Sequence, residues 1–260
     1  MFLQMDDVSK RFMGRDQQPF TVFSDINLTV PENQFVSILG PSGCGKSTLL
    51  SMVAGLENST EGTISLQDNI IKQPGRERGM VFQQPSLFPW LNVRDNVTFP
   101  LKGMMTKQEA IERADDFLKM VHLSHFKDNY IYELSGGMQQ RVAIARALAM
   151  NPKVLLMDEP FAALDEQTRH ILHDELIRIW QQTKKTILFV THSIQEAIKL
   201  SDRVIVMGTL PGRIIADIEV DISRPRKRED QQVIKIEKKV MKLLEGEIDK
   251  VLKEELSNEN

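Results

Sequence analysis

Phe35-Val-Ser-Ile-Leu-Gly-Pro-Ser-Gly-Cys-Gly-Lys-Ser-Thr48 is the stretch on which the fold turns. Its first five residues form a short apolar run with β-branched members, the pattern of a strand buried on both faces. Gly40 to Thr48 then match G-x-x-x-x-G-K-[ST] in full, and the apolar stretch from Thr48 to Leu56 reads as a helix. A strand, a glycine-rich loop and a helix in that order make a phosphate cradle. The backbone of Gly40, Pro41, Ser42, Gly43, Cys44 and Gly45 can wrap a phosphate with its N–H groups turned inward, and the helix N-terminus adds positive potential. Lys46 is expected to reach the outer phosphates and the Ser47 hydroxyl to ligate Mg²⁺, with Thr48 opening the helix. Cys44 reads as a small loop residue, not a nucleophile.

Four further runs extend the strand pattern outward: Met80–Phe82, Val154–Met157, Thr186–Val190 and Arg203–Met207. Segments of helical periodicity separate the later ones, which predicts a parallel sheet covered on both faces. Ser24–Val30, Gly62–Leu66 and Arg213–Val220 alternate instead, as half-buried antiparallel strands do. From about Pro85 to Leu134 no parallel strand is evident. There Thr106 and Glu109 form a capping-box pattern, and Ala110, Ala114, Phe117 and Val121 follow at helical spacing. This segment is read as a helical insertion. From Glu229 to Asn260, Val233, Ile236, Val240, Leu244, Ile248 and Val251 form a stripe among Lys and Glu, an amphipathic helix expected to pack on its own domain.

Composition narrows the class. The chain has 260 residues, 41% of them apolar and 27% charged, enough to build a core and too much for wholesale disorder. A net charge of −3 argues against non-specific nucleic-acid binding, so no nucleic-acid partner is expected. One cysteine excludes a disulfide-rich scaffold and points to a reducing compartment. Met1 to Lys10 lacks the apolar run of a signal peptide. The longest uncharged stretch, Gly79 to Val93, has 15 residues and two prolines, whereas a bilayer requires about 20 apolar residues.

Two acids end the run Lys153-Val-Leu-Leu-Met-Asp-Glu159. Beside a phosphate loop, Asp158 is expected to hold Mg²⁺, and Glu159 to polarise the attacking water. His192 follows the Thr186–Val190 run through Thr191, at the strand end where open α/β sheets bind ligands. The other histidines, His122, His125, His170 and His173, find no third ligand and are assigned no metal.

Leu134-Ser-Gly-Gly-Met-Gln-Gln-Arg141 adds the deciding feature. Alone it would be a glycine-rich start to a helix running Met138 to Met150. Here Ser135 lies 23 residues before Asp158. A phosphate loop, this segment, an acid-ended strand and a downstream histidine, in that order, resemble the ATP-binding subunit of ABC transporters. The resemblance runs from about Met5 to Pro225. It implies an α/β P-loop NTPase fold of the ABC type, with a parallel sheet core, an antiparallel β subdomain and a helical subdomain at about 85–150. An ATP-binding domain would then fill 1–228, with a helical tail at 229–260.

The resemblance also implies roles. Ser135, Gly136 and Gly137 match the signature that faces the γ-phosphate of ATP held by a second copy. Gln83, placed at the end of strand Met80–Phe82, matches the glutamine that touches Mg²⁺ or water and senses the membrane partner. Asp165 matches an aspartate that crosses the dimer interface, and His192 the histidine that contacts the γ-phosphate. Phe12 matches the aromatic stacked on adenine. Phe-Pro-Trp-Leu-Asn-Val at 88–93, Leu210-Pro-Gly-Arg-Ile and Ser223-Arg-Pro-Arg226 are similar to importers of nitrate, sulfonates and taurine. A catalytic set of Glu159, His192 and Gln83 is implied, with Ser47, Gln83 and Asp158 toward Mg²⁺. ATP is the expected ligand, and the implied partners are a second copy of the chain in a head-to-tail dimer, permease subunits and, indirectly, a solute-binding protein. The implied location is the cytoplasmic face of the cell membrane. The alternatives are a soluble ABC-type ATPase without transport and a small-molecule kinase, which has no use for the signature segment.

Overall fold

The computed structural model describes residues 1–14, 17–209 and 211–258, with side chains through Glu247. In chain order its first elements are β1 (Leu3–Met13), β2 (Pro19–Val30), β3 (Phe35–Leu39), α1 (Lys46–Ala54), β4 (Glu61–Leu66), β5 (Asn69–Ile70) and β6 (Arg78–Val81). Next come α2 (Val93–Thr98), α3 (Lys107–Met120), α4 (Gly136–Ala149), β7 (Val154–Asp158) and α5 (Glu166–Thr183). The last are β8 (Thr186–Thr191), α6 (Ile194–Leu200), β9 (Arg203–Gly208), β10 (Arg213–Glu219) and α7 (Gln231–Asn258). They fall into two compact units, one of Met1–Pro74 with Thr186–Asn260 and one of Gly75–Lys185.

In the first unit β3 runs parallel to β8 on one side and to β9 on the other, and β10 closes antiparallel on β9. Every residue of β3 and β8 is buried, which is why these strands read as continuous apolar runs. Phe35 and Phe189 meet there with ring centroids 5.9 Å apart. A separate antiparallel sheet in the order β2, β1, β4, β5 belongs to the same unit. Ile26, Leu28 and Val30 share its buried face, as the alternation predicts.

Strand β1 has no counterpart in the sequence reading. Its pairing with β2 shifts register between Met5 and Val8, between Val8 and Lys10, and again between Lys10 and Arg11. Asp7 sits at φ 48° within it. Bulges of this kind break the period of two on which strand recognition depends.

The tail helix α7 lies on the first unit. Val233 and Val240 are buried with Leu39, Ile198, Val204 and Val206, and Ile236, Leu243 and Leu244 pack against that cluster. Ile248 and Val251 lie outside the described side chains, as does Leu210.

The second unit holds the parallel pair β6–β7 and the helices α2 to α5. The capping box at Thr106 and Glu109 forms as predicted. Along α3 the buried positions are Ala110, Ala114 and Leu118. Phe117 is only half-buried, so Leu118 replaces it in the stripe. β6 ends at Val81, which sets Gln83 two residues past the strand and not at its end.

Candidate active site

In the first unit the phosphate loop connects β3 to α1. Gly45 is the N-cap of α1 at φ 92°, a conformation that side chains disfavour, and a Cβ there would meet Phe23 Cδ1 at 2.6 Å. No side chain caps α1 and no acid occupies its first turn. A helix N-terminus of this kind favours an anion. Lys46 is 5% exposed, and its ammonium donates to the carbonyls of Gly40 at 2.8 Å and Pro41 at 2.9 Å. The cation is thus stored inside the loop. Cys44 is buried there, and burial pushes its thiol up, so it is a poor nucleophile at neutral pH.

Parallel pairing brings His192 to the same strand ends. Leu39 and Thr191 are partners across β3 and β8, so Gly40 and His192 leave neighbouring strands side by side. The turn carrying His192 is fixed by its neighbours. The Thr191 hydroxyl donates to Glu196, accepts from the Ser193 N–H at 3.0 Å, and the Ser193 hydroxyl caps α6 through the Glu196 N–H at 3.3 Å. Phe12 is 41% exposed, and its ring lies 4.5 Å from the Lys10 ammonium. Directly across β1–β2 stands exposed Phe20, an aromatic neighbour that the sequence reading missed.

The second unit gathers another set. Val81 and Met157 are partners across β6 and β7. Gln83 and Glu159 therefore leave adjacent strands at the same end, with Asp158 the last residue of β7. Glu159 has φ 42°, a left-handed conformation imposed on a non-glycine residue at the strand end. Ser135 is the N-cap of α4 and accepts from the Met138 N–H at 3.3 Å. Asp165 is the N-cap of α5, accepting from the Thr168 N–H at 2.9 Å, and that bond holds its carboxyl below the usual range.

Two residues of α4 join this region without any sequence signal. Gln140 donates to the Phe82 carbonyl at 3.3 Å, and Arg146 donates to the carbonyls of Ser86 at 2.9 Å and Pro85 at 3.0 Å. The segment on either side of Gln83 is thereby tied to the helix that Ser135 begins. Contacts to backbone carbonyls demand no partner residue type, so no pattern announces them.

The donors expected to face Mg²⁺ are a hydroxyl (Ser47), an amide oxygen (Gln83) and a carboxylate (Asp158). All are hard oxygen ligands, suited to that cation and too few to hold it without phosphate oxygens and water. Among the described residues no cluster of three or more His, Cys, Asp or Glu forms a metal cage.

Comparison with known proteins identifies relatives of the chain. The family described as ABC transporter matches residues 23–162. An uncharacterised ABC transporter ATP-binding protein of Methanocaldococcus jannaschii is 54% identical over 96% of this chain and 94% of its own length. An aliphatic sulfonates import ATP-binding protein of Bacillus cereus is 42% identical over 94% of this chain and 96% of its own. A nitrate import ATP-binding protein of Synechocystis is 43% identical over 92% and 90%. Among solved structures, a dimeric ATP-binding cassette in a post-hydrolysis state with ADP and Pi superposes with a TM-score of 0.74 at 35% identity, over 85% of this chain and all of that one. With a family match over more than half its length and relatives aligned nearly end to end, the chain belongs to the ABC transporter family and has the ATP-binding cassette fold.

Proposed function

We propose that the chain is the ATP-hydrolysing subunit of a membrane importer, peripheral at the cytoplasmic face, and that it powers uptake of a small solute of the sulfonate, taurine or nitrate class. The observation that carries the ATPase reading is the phosphate loop, where a helix N-terminus without a side-chain cap meets a buried lysine bonded to loop atoms. Names of the relatives support the importer reading. No described helix is long and apolar enough to cross a membrane, so the transport path belongs to permease subunits, with a solute-binding protein delivering cargo to them.

In this reading the loop N–H groups and Lys46 bind the outer phosphates, with Lys46 exchanging its two carbonyls for phosphate oxygens. Ser47, Asp158 and Gln83 are the residues that would hold Mg²⁺, which when bound neutralises charge building on the phosphates. Glu159 accepts a proton from the attacking water, and His192 donates to the γ-phosphate. Phe12 stacks on adenine. Two copies close head to tail, and Ser135, Gly136 and Gly137 of one present a hydroxyl and backbone N–H groups to ATP on the other, with Asp165 at the interface. Hydrolysis removes the shared γ-phosphate and releases the copies.

Phosphate release by the purified chain, by Lys46→Ala and by Glu159→Gln tests the ATPase assignment. Turnover by the wild type and loss in both variants are expected. Unaltered turnover in Lys46→Ala would overturn it. Co-purification with permease subunits separates the importer from a soluble ABC-type ATPase.

A further inference from the structure

The tail helix carries a buried charge that packing alone does not require. Glu247 of α7 is 4% exposed. Arg213 Nη2 donates to both its carboxylate oxygens at 2.9 Å, and the Thr209 N–H donates to it at 3.3 Å. Arg213 Nη1 also donates to the Thr209 carbonyl at 2.9 Å. The carboxylate lies against the end of β9, where a Cβ on Gly208 would overlap it. Glu247 thus grips the connection between β9 and β10 from one side.

The end of β9 and the residue before β10 each lie close to the phosphate loop. The Met207 carbonyl lies 2.7 Å from where a Cβ on Gly40 would stand. A Cβ on Gly212 would overlap the Cys44 carbonyl. Gly212 is held in place by its N–H to the Val22 carbonyl at 2.8 Å and by its own carbonyl, which accepts from the Ser24 N–H at 3.1 Å. Residues 207 and 212 therefore back Gly40 and Cys44, while Glu247 holds the neighbouring Thr209 and Arg213.

We infer that Glu247 is a positioning residue for the phosphate loop, through which the tail helix sets the affinity for ATP. The inference rests on the ATP-binding reading of that loop. Desolvating a carboxylate is costly unless its partners hold it, so its place at this joint pins the joint's geometry. A loop that must wrap a phosphate within hydrogen-bond distance is sensitive to small displacements of its support.

Isothermal titration of the full-length chain with ATP, without Mg²⁺ so that turnover is suppressed, reads the effect directly. Glu247→Gln keeps the shape and removes the charge. Its Kd for ATP is expected to rise roughly three- to tenfold, with kcat at saturating ATP within about twofold. Gly208→Ala keeps every charge and displaces the carboxylate, and the same rise is expected. In a Glu247→Ala background, where only a 3.0 Å approach to Ile215 Cγ2 remains, Gly208→Ala should add little. Thr106→Ala, in the other unit, controls for lowered stability and should leave Kd unchanged. Wild-type Kd in both Glu247→Gln and Gly208→Ala, or a rise no larger than in an equally destabilised control, would reduce the tail to a packing helix. Loss of binding in wild type, or retention in Lys46→Ala, would instead sink the ATP reading itself.

Discussion

Gly136 and Gly137 are adjacent and are glycines for unlike reasons. A Cβ on Gly137 would stand 2.6 Å from Thr168 Cγ2, whereas one on Gly136 would meet only Leu164 Cδ2, at an ordinary 3.7 Å. Packing within the chain explains the first glycine and leaves the second to what approaches from outside. Gly137→Ala should cost about 1–3 kcal/mol through overpacking, and Thr168→Ser, which removes the clashing methyl, should recover much of it. Gly136→Ala should melt with the wild type yet lose ATP-driven association. Thermal melts of the three variants read the stabilities, and solution mass with ATP reads the association. Glu159 is the second case. Its φ is 42°, just past the end of β7, and Gln can take the same backbone. Glu159→Gln should bind ATP as the wild type does and hydrolyse it about 10²- to 10⁴-fold more slowly. Wild-type phosphate release from that variant would place water activation elsewhere.

At the scale of elements, Ser223-Arg-Pro-Arg226 appears in the sequence only as a likeness to one importer group. In the structure it is a clamp on α6. Arg226 is buried and donates to the carbonyls of Ile222 and Val220 at 2.9 Å and of Ile198 and Ser201 at 2.5 Å. Arg224 takes the Leu200 carbonyl and Asp202. Together they satisfy the last carbonyls of the helix that follows His192. Burial lowers the Arg226 guanidinium to about 10, so it stays charged at neutral pH. Arg226→Met should cost about 3 kcal/mol by orphaning buried carbonyls, and Arg226→Lys should restore only part, since an ammonium lacks the planar fork. Chemical denaturation measures both, and a Met variant as stable as the wild type would mean that water replaces the clamp. On α7, Val240→Ala should cost about 2 kcal/mol and exposed Lys239→Ala less than about 0.5.

The same scale shows why part of the molecule was legible. β3, β7, β8 and β9 are buried on both faces, so they can contain little but apolar residues and announce themselves. β1 was hidden by its bulges. Lys46, Ser47, Asp158, Glu159 and His192 could be singled out as candidates because phosphate chemistry calls for those residue types at helix starts and strand ends. Gln140, Arg146 and Glu247 were not, because they serve backbone carbonyls or a partner 34 positions away. Such bonds impose no local spacing.

For the whole molecule, the account depends on ATP joining two copies. Each copy has an uncapped α1 to receive phosphates and an α4 whose N-cap, Ser135, carries the bare backbone of Gly136. A ligand bound by both raises the affinity of the copies for each other only while its γ-phosphate persists. The most direct test is the solution mass of Glu159→Gln, by light scattering, with and without saturating ATP and Mg²⁺. The account predicts a monomer without nucleotide and a dimer with it, and a monomer again when Ser135→Arg is added. A mass that stays monomeric with ATP bound would contradict it.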